Sequence, residues 1–179
     1  MSKICGRLLI LMVLLCGQAD ASFSDVTPHR GAKQANPEIY KKVLKRVVKR
    51  WNLDPYLLMG LIQTESRFDA GATSRTGAAG LGQFTTIGCK EIQRLSKIGR
   101  YASAFKNEPK ILAGLKSFDK KTAYKPELNL EAAGMYLAHL LRAYKQNVEA
   151  ALTHYNAGGK MARLVVKHGF KKAKEKGIL

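Results

Sequence analysis

The chain has 179 residues, 46% hydrophobic and 8% aromatic, which is enough apolar material for one ordinary core and too little for two large domains. A charged fraction of 25% beside that apolar content excludes a disordered polyelectrolyte, and collagen-like or low-complexity readings fail as well. With 31 Lys and Arg against 13 Asp and Glu, the formal charge is +18, so the partners it meets are expected to be anionic.

Residues 1–21 read as a secretory signal peptide. Lys3 and Arg7 form a basic start, Leu8 to Leu15 is an unbroken apolar run of eight, and Ala19-Asp20-Ala21 supplies small residues at a cleavage spacing. The run is far below the roughly 18 residues that suggest a membrane span, and no later segment approaches that length, so no integral membrane segment is expected. Leu15 stands where a small residue would precede a lipid-modified Cys16, which counts against an anchor there. Export would leave 29 basic and 12 acidic residues, a charge of +17, and Cys89 as the single cysteine. An intramolecular disulfide is then impossible, and a lone cysteine reads as a small buried apolar residue. His29, His139, His154 and His168 show no metal-ligand spacing, so no metal or cofactor is expected.

Ser22 to Ala35 is polar and aperiodic and reads as a flexible leader, with the folded domain spanning 36–170 and a basic tail at 171–179. Asn36-Pro37 gives a helix start before Tyr40, Leu44, Val47, Val48 and Trp51, an amphipathic stripe with a basic outer face. Asp54-Pro55 repeats the signal, and Leu58, Leu61, Ile62, Glu65 and Phe68 then share a stripe. Four glycines and few large apolar residues between Ala70 and Gly82 predict a close-approaching loop. A weaker helical pattern covers Cys89 to Ile98. The lysine-rich stretch from there to Pro126 shows no assignable period. Asn129 is expected to cap a helix carrying Ala133, Leu137, Leu140, Leu141 and Tyr144. Val148, Leu152 and Tyr155 mark a short helix ended by Gly158-Gly159, and Met161, Leu164 and Val165 mark another before Gly169. The fold class is mostly α, with at most a small irregular or β insertion.

Of the acidic residues in 22–179, Glu65 alone sits on an apolar stripe, where helix geometry points it at a core or a cleft. Burial disfavours a charged carboxylate, which is the tuning a general acid needs near neutral pH. The bland reading is a buried Glu paired with Arg67 or a backbone group.

Three ordered motifs decide between these. Glu65-Ser66-Arg67-Phe68-Asp69, then Ser74 to Phe84 with its Gly80-Leu81-Gly82-Gln83, then Ala151-Leu152-Thr153-His154-Tyr155-Asn156-Ala157-Gly158 resemble the soluble lytic transglycosylase family and its lysozyme-like domain. The resemblance runs from about Ile39 to Val166. It implies cleavage of the MurNAc-β-1,4-GlcNAc bond of peptidoglycan without water, leaving 1,6-anhydroMurNAc ends, in the periplasm or outside the cell. Glu65 would be the single catalytic acid and base and Ser66 would complete its signature. Ser74 would hydrogen-bond near the N-acetyl group, and Gln83 and Phe84 would line the glycan groove. Tyr155 would sit near the Glu65 carboxyl, and Asn156 would anchor that segment. Small secreted members often accompany secretion or conjugation machines, so components of such an apparatus are candidate partners beside the glycan strands.

The chain departs from the family pattern at Gly82, where Met is usual, and at Thr85-Thr86, near which a proline is common. Asp69, four residues after Glu65, is the candidate second carboxylate for a lysozyme-type muramidase, and the resemblance makes it a turn or cap residue instead. A wall-binding assembly protein without catalysis is a further rival, opposed by the intact Glu65. Nucleic-acid binding, suggested by charge alone, finds no supporting motif.

Overall fold

A computed structural model describes residues 37–175, without the side chains of 37–39, 173 and 174. The expected signal peptide, the leader, the Asn36 cap and the last four residues of the basic tail lie outside the described residues. The described chain falls into two units, one ending at Tyr136 and the other starting at Leu137.

Helix α1 (Pro37–Trp51) buries Tyr40, Val43, Leu44 and Val47 and leaves Lys42, Lys45 and Lys49 in solvent, as its apolar spacing dictates. Asn52, at a φ of 48°, stops it. Asp54 then caps α2 (Pro55–Ser66), its carboxylate accepting from the N–H groups of Tyr56 and Leu57 at 2.7 and 3.2 Å. The buried stripe of α2 is Leu57, Leu58, Leu61 and Ile62.

Helix α3 (Thr86–Leu95) begins three residues ahead of the expected Cys89, because Thr85 caps it by accepting the Gly88 N–H at 3.1 Å. The stretch without a readable period consists of short turns: α4 (Gly99–Ala102), a 3₁₀ turn (Ser103–Phe105), α5 (Pro109–Lys116) and a second 3₁₀ turn (Thr122–Tyr124). Each contributes one buried residue, respectively Tyr101, Phe105, Leu115 and Ala123, and Tyr101 and Phe105 both pack on Trp51 of α1.

Helix α6 (Pro126–Ala143) also starts three residues early, at its proline. This corrects the expected cap: Asn129 lies inside the helix, and every residue from Asn129 to Met135 is buried. Gly134 is required there, since a Cβ would stand 2.1 Å from Val47 Cγ1, so α1 and α6 approach at close range. Beside that approach Glu131, fully buried, receives Arg46 Nε at 2.8 Å and pairs with Arg50 Nε at 3.2 Å. Glu108 joins the cluster through Arg50. Burial pushes the Glu131 carboxyl above its ordinary value, and the two guanidiniums pull it part of the way back.

In the second unit α7 (Val148–Ala157) is capped by Asn147 and ended by Gly158 at a φ of 84°. Helices α8 (Gly159–His168) and α9 (Phe170–Glu175) follow, with α7 packed on α8. Among the described residues the β content is limited to isolated bridges, Thr73 to Ala79 and Ala79 to Phe84, so the fold is mostly α. No helix among these residues is long and apolar enough to cross a membrane.

Candidate active site

Glu65 occupies the last turn of α2 and is half-buried. The backbone reverses directly after it. Arg67 and Phe68 take φ values of 55° and 61°, two successive non-glycine residues in the left-handed region, which costs on the order of 1–3 kcal/mol each and persists only where the surroundings impose it. Here they do. The Arg67 N–H closes on the Gln63 carbonyl at 3.0 Å, the Asp69 N–H closes on the Ser66 carbonyl at 3.0 Å, and Phe68 is buried against Tyr40. Ser66 is buried too, its hydroxyl turned back to the Ile62 carbonyl at 3.3 Å.

Because the helix ends, Asp69 does not continue the Glu65 face. Its carboxylate accepts the Gly71 N–H at 2.8 Å, forming a local turn. Burial, with the Asp69 charge adding to it, pushes the Tyr40 hydroxyl up to about 12.

From that turn the chain enters the glycine loop through Ala72, whose carbonyl accepts both the Gly80 N–H at 2.9 Å and Gln83 Nε2 at 3.1 Å. Gln83, at a φ of 49°, also gives Nε2 to the Gly80 carbonyl at 2.8 Å, so its amide ties the two limbs of the loop together. Ser74 closes the outer turn: its Oγ accepts the Ala78 N–H at 2.9 Å and lies 3.0 Å from the Thr76 hydroxyl. Ala79 and Phe84 exchange backbone hydrogen bonds of 3.1 and 3.0 Å. The Phe84 ring is buried edge-on to Phe118 with centroids 5.2 Å apart, so it supports the loop from the core.

The residue that sequence reasoning missed is Asn129. Its Oδ1 accepts the Gly82 N–H at 2.7 Å and its Nδ2 donates to the Ala123 carbonyl at 2.6 Å. An amide supplies one acceptor and a two-hydrogen donor, and both ends are engaged here by main-chain groups. Pro126 was the signal available: a helix started there carries Asn129 as an interior polar residue in an apolar run, which needs a partner.

Tyr155 and Asn156 lie in the last turn of α7, ahead of the Gly158 stop, Tyr155 half-buried and Asn156 exposed. One residue earlier, His154 Nδ1 lies 2.9 Å from the Tyr144 hydroxyl. Among the described residues no group of His, Cys, Asp and Glu side chains is placed to hold a metal ion.

Comparison with known proteins fits this layout. The family model described as Transglycosylase SLT domain matches residues 42–178. Membrane-bound lytic murein transglycosylase C of Actinobacillus pleuropneumoniae, in serotypes 5b (strain L20) and 3 (strain JL03), is 26% identical over 128 residues, 66% of this chain. That alignment covers 30% of each relative, so the chain spans about 30% of the length of the curated relatives it matches. The family match runs through both units and well over half of the sequence, taking in Glu65, the glycine loop and the turn after Tyr155, and on that ground the chain belongs to the transglycosylase SLT domain family.

Proposed function

We propose that this protein is a peptidoglycan lytic transglycosylase with Glu65 as its acid and base. The observation that carries the reading is the family match over residues 42–178, within which Glu65 stands at the end of α2 immediately before an imposed left-handed reversal. In this chemistry the Glu65 carboxyl protonates the glycosidic oxygen as the leaving sugar departs, and the substrate's own N-acetyl group stabilises the oxocarbenium-like centre. The resulting carboxylate takes the proton of the MurNAc C6 hydroxyl, whose oxygen then bonds to C1 and closes the 1,6-anhydro ring. That hydroxyl is tethered to the reacting sugar, and its high effective concentration favours it over water.

Gln83 and Ser74 are the glycan contacts we assign to the loop. Their hydrogen bonds within it support a positioning role, since loop backbone fixed before substrate arrives needs no further ordering. Phe84 is assigned to holding the loop from beneath. Tyr155 and Asn156 are the contacts proposed for the second unit. The engagement of Asp69 in its own turn supports the transglycosylase over the muramidase, which needs a second carboxylate to hold water.

The basic, apolar and small-residue pattern of 1–21 supports export to the periplasm or beyond, where murein lies, and a +17 charge suits recruitment to an anionic wall. Service beside a secretion or conjugation apparatus is the finer reading, and it rests on the resemblance alone. Mass spectrometry of sacculi digested by the purified protein tests the chemistry. Fragments ending in 1,6-anhydroMurNAc, lighter by one water than hydrolysis products, are expected. Reducing MurNAc ends, together with an inactive Asp69→Asn variant, would make it a muramidase.

A further inference from the structure

The lysine-rich stretch that separates the glycine loop from α6 carries none of the three family motifs, yet its end, residues 119–125, is docked along that loop. The Tyr124 hydroxyl lies 2.7 Å from Thr73 Oγ1. The Ala123 carbonyl is joined through the Asn129 amide to the Gly82 N–H. That carbonyl passes so close to Gly80 that a Cβ there would stand 2.0 Å from it, and a Cβ on Gly77 would stand 2.7 Å from Lys120 Nζ. Gly80, which faces main chain, therefore makes room for the segment, whereas the Lys120 side chain near Gly77 is free to swing aside. The segment is itself rigid at its start, where Asp119 and Thr122 exchange backbone-to-side-chain hydrogen bonds of 2.8 Å each.

Tyr124 is 40% exposed although its neighbour Ala123 is buried and its own hydroxyl is held. A large ring fixed in this way gives up little further freedom when a ligand covers it. Its hydroxyl is satisfied by the protein, so the apolar face of the ring is what remains to offer. The face of a β-linked N-acetylhexosamine, with its axial C–H groups, is the matching surface. Thr73, which holds the ring, directly precedes Ser74.

We propose that Tyr124, fixed by Thr73, is a glycan-contact residue of this protein, and that residues 119–125 form a wall of the substrate site. The inference rests on the peptidoglycan reading above. Lys120 gives the same wall a positive charge, suited to a strand that bears carboxylates.

The test measures affinity for a soluble, uncross-linked peptidoglycan strand alongside kcat and KM on the same strand. Tyr124→Ala is expected to weaken binding and raise KM by about tenfold, with kcat within about twofold and the melting temperature unchanged. Tyr124→Phe and Thr73→Val should each lose about threefold, and the double variant no more than either, because both remove one hydrogen bond. Wild-type affinity and KM in Tyr124→Ala would overturn the inference and leave the transglycosylase reading standing. Weakened binding by Tyr124→Ala to a strand that the wild-type protein leaves uncut would do the reverse, supporting the contact and removing the activity.

Discussion

Asn129, fully buried inside α6, accepts the Gly82 N–H at 2.7 Å, so the backbone of the glycine loop is held from a helix 47 positions further along the chain. The other end of that amide holds the Ala123 carbonyl. One side chain thereby fixes two segments that the sequence leaves unconnected.

Replacement of Asn129 by Asp should make this clamp pH-dependent. The introduced carboxyl keeps an acceptor for Gly82 but sets its second oxygen against the Ala123 carbonyl, a pairing that is favourable only when it carries a proton. Burial raises its folded value above the unfolded one, so the penalty is absent below the unfolded value and grows as pH rises through the folded value. Denaturant midpoints should show a deficit against the wild type that widens from pH 4 to pH 8. A deficit independent of pH would refute the assignment of the two amide ends.

Glu131 should be a strong determinant of stability with no direct part in cleavage. Removing it by Glu131→Ala takes away the fully buried carboxylate of the cluster but leaves Glu108 on Arg50 and Glu127 on Arg46, so the loss should stay below the about 3–5 kcal/mol of a buried charge left with no partner. Urea unfolding should report that loss. Activity per folded molecule should stay at the wild-type level, and a fall in it would give the cluster a role at the site.

Tyr40 sets an alkaline limit. Its hydroxyl has no hydrogen-bond partner among the described residues and is pushed from 10.0 up to about 12, so the folded protein keeps a proton that the unfolded chain releases. The associated stability is complete below pH 10 and is lost as pH rises towards 12. Tyr40→Phe should be neutral or slightly stabilising at pH 7, because it removes an unpaired buried hydroxyl, and should flatten the decline above pH 10. An equally steep alkaline decline in Tyr40→Phe would place its cause elsewhere.

Helices α1, α2, α7 and α8 are legible in the sequence because period and punctuation agree there: proline or asparagine opens the first three, Gly158 separates α8 from α7, and glycine or a left-handed residue closes each. Helices α3 and α6 begin earlier than their apolar pattern, since Thr85 and Pro126 start them in polar surroundings. The stretch from Gly99 to Tyr124 hides its structure for a different reason. Turns of three to eight residues bury one residue each, which is too few to show a period. Glu65 stands out because a carboxylate on an apolar stripe breaks a local rule, yet it is not alone in doing so: Glu131, in the apolar run of α6, is the fully buried carboxylate, and Glu65 is only half-buried. Asn129 does not stand out, because its partners Gly82 and Ala123 are main-chain groups that no side-chain pattern reports.

The most direct test of the catalytic assignment is the rate at which purified Glu65→Gln protein, shown to be folded by its melting curve, releases soluble fragments from sacculi. Glutamine keeps the size and shape of the side chain and removes its titratable proton, so the rate should fall by at least ~10²-fold with the fold retained. Release at the wild-type rate by the folded variant would contradict the assignment of Glu65 as the acid and base.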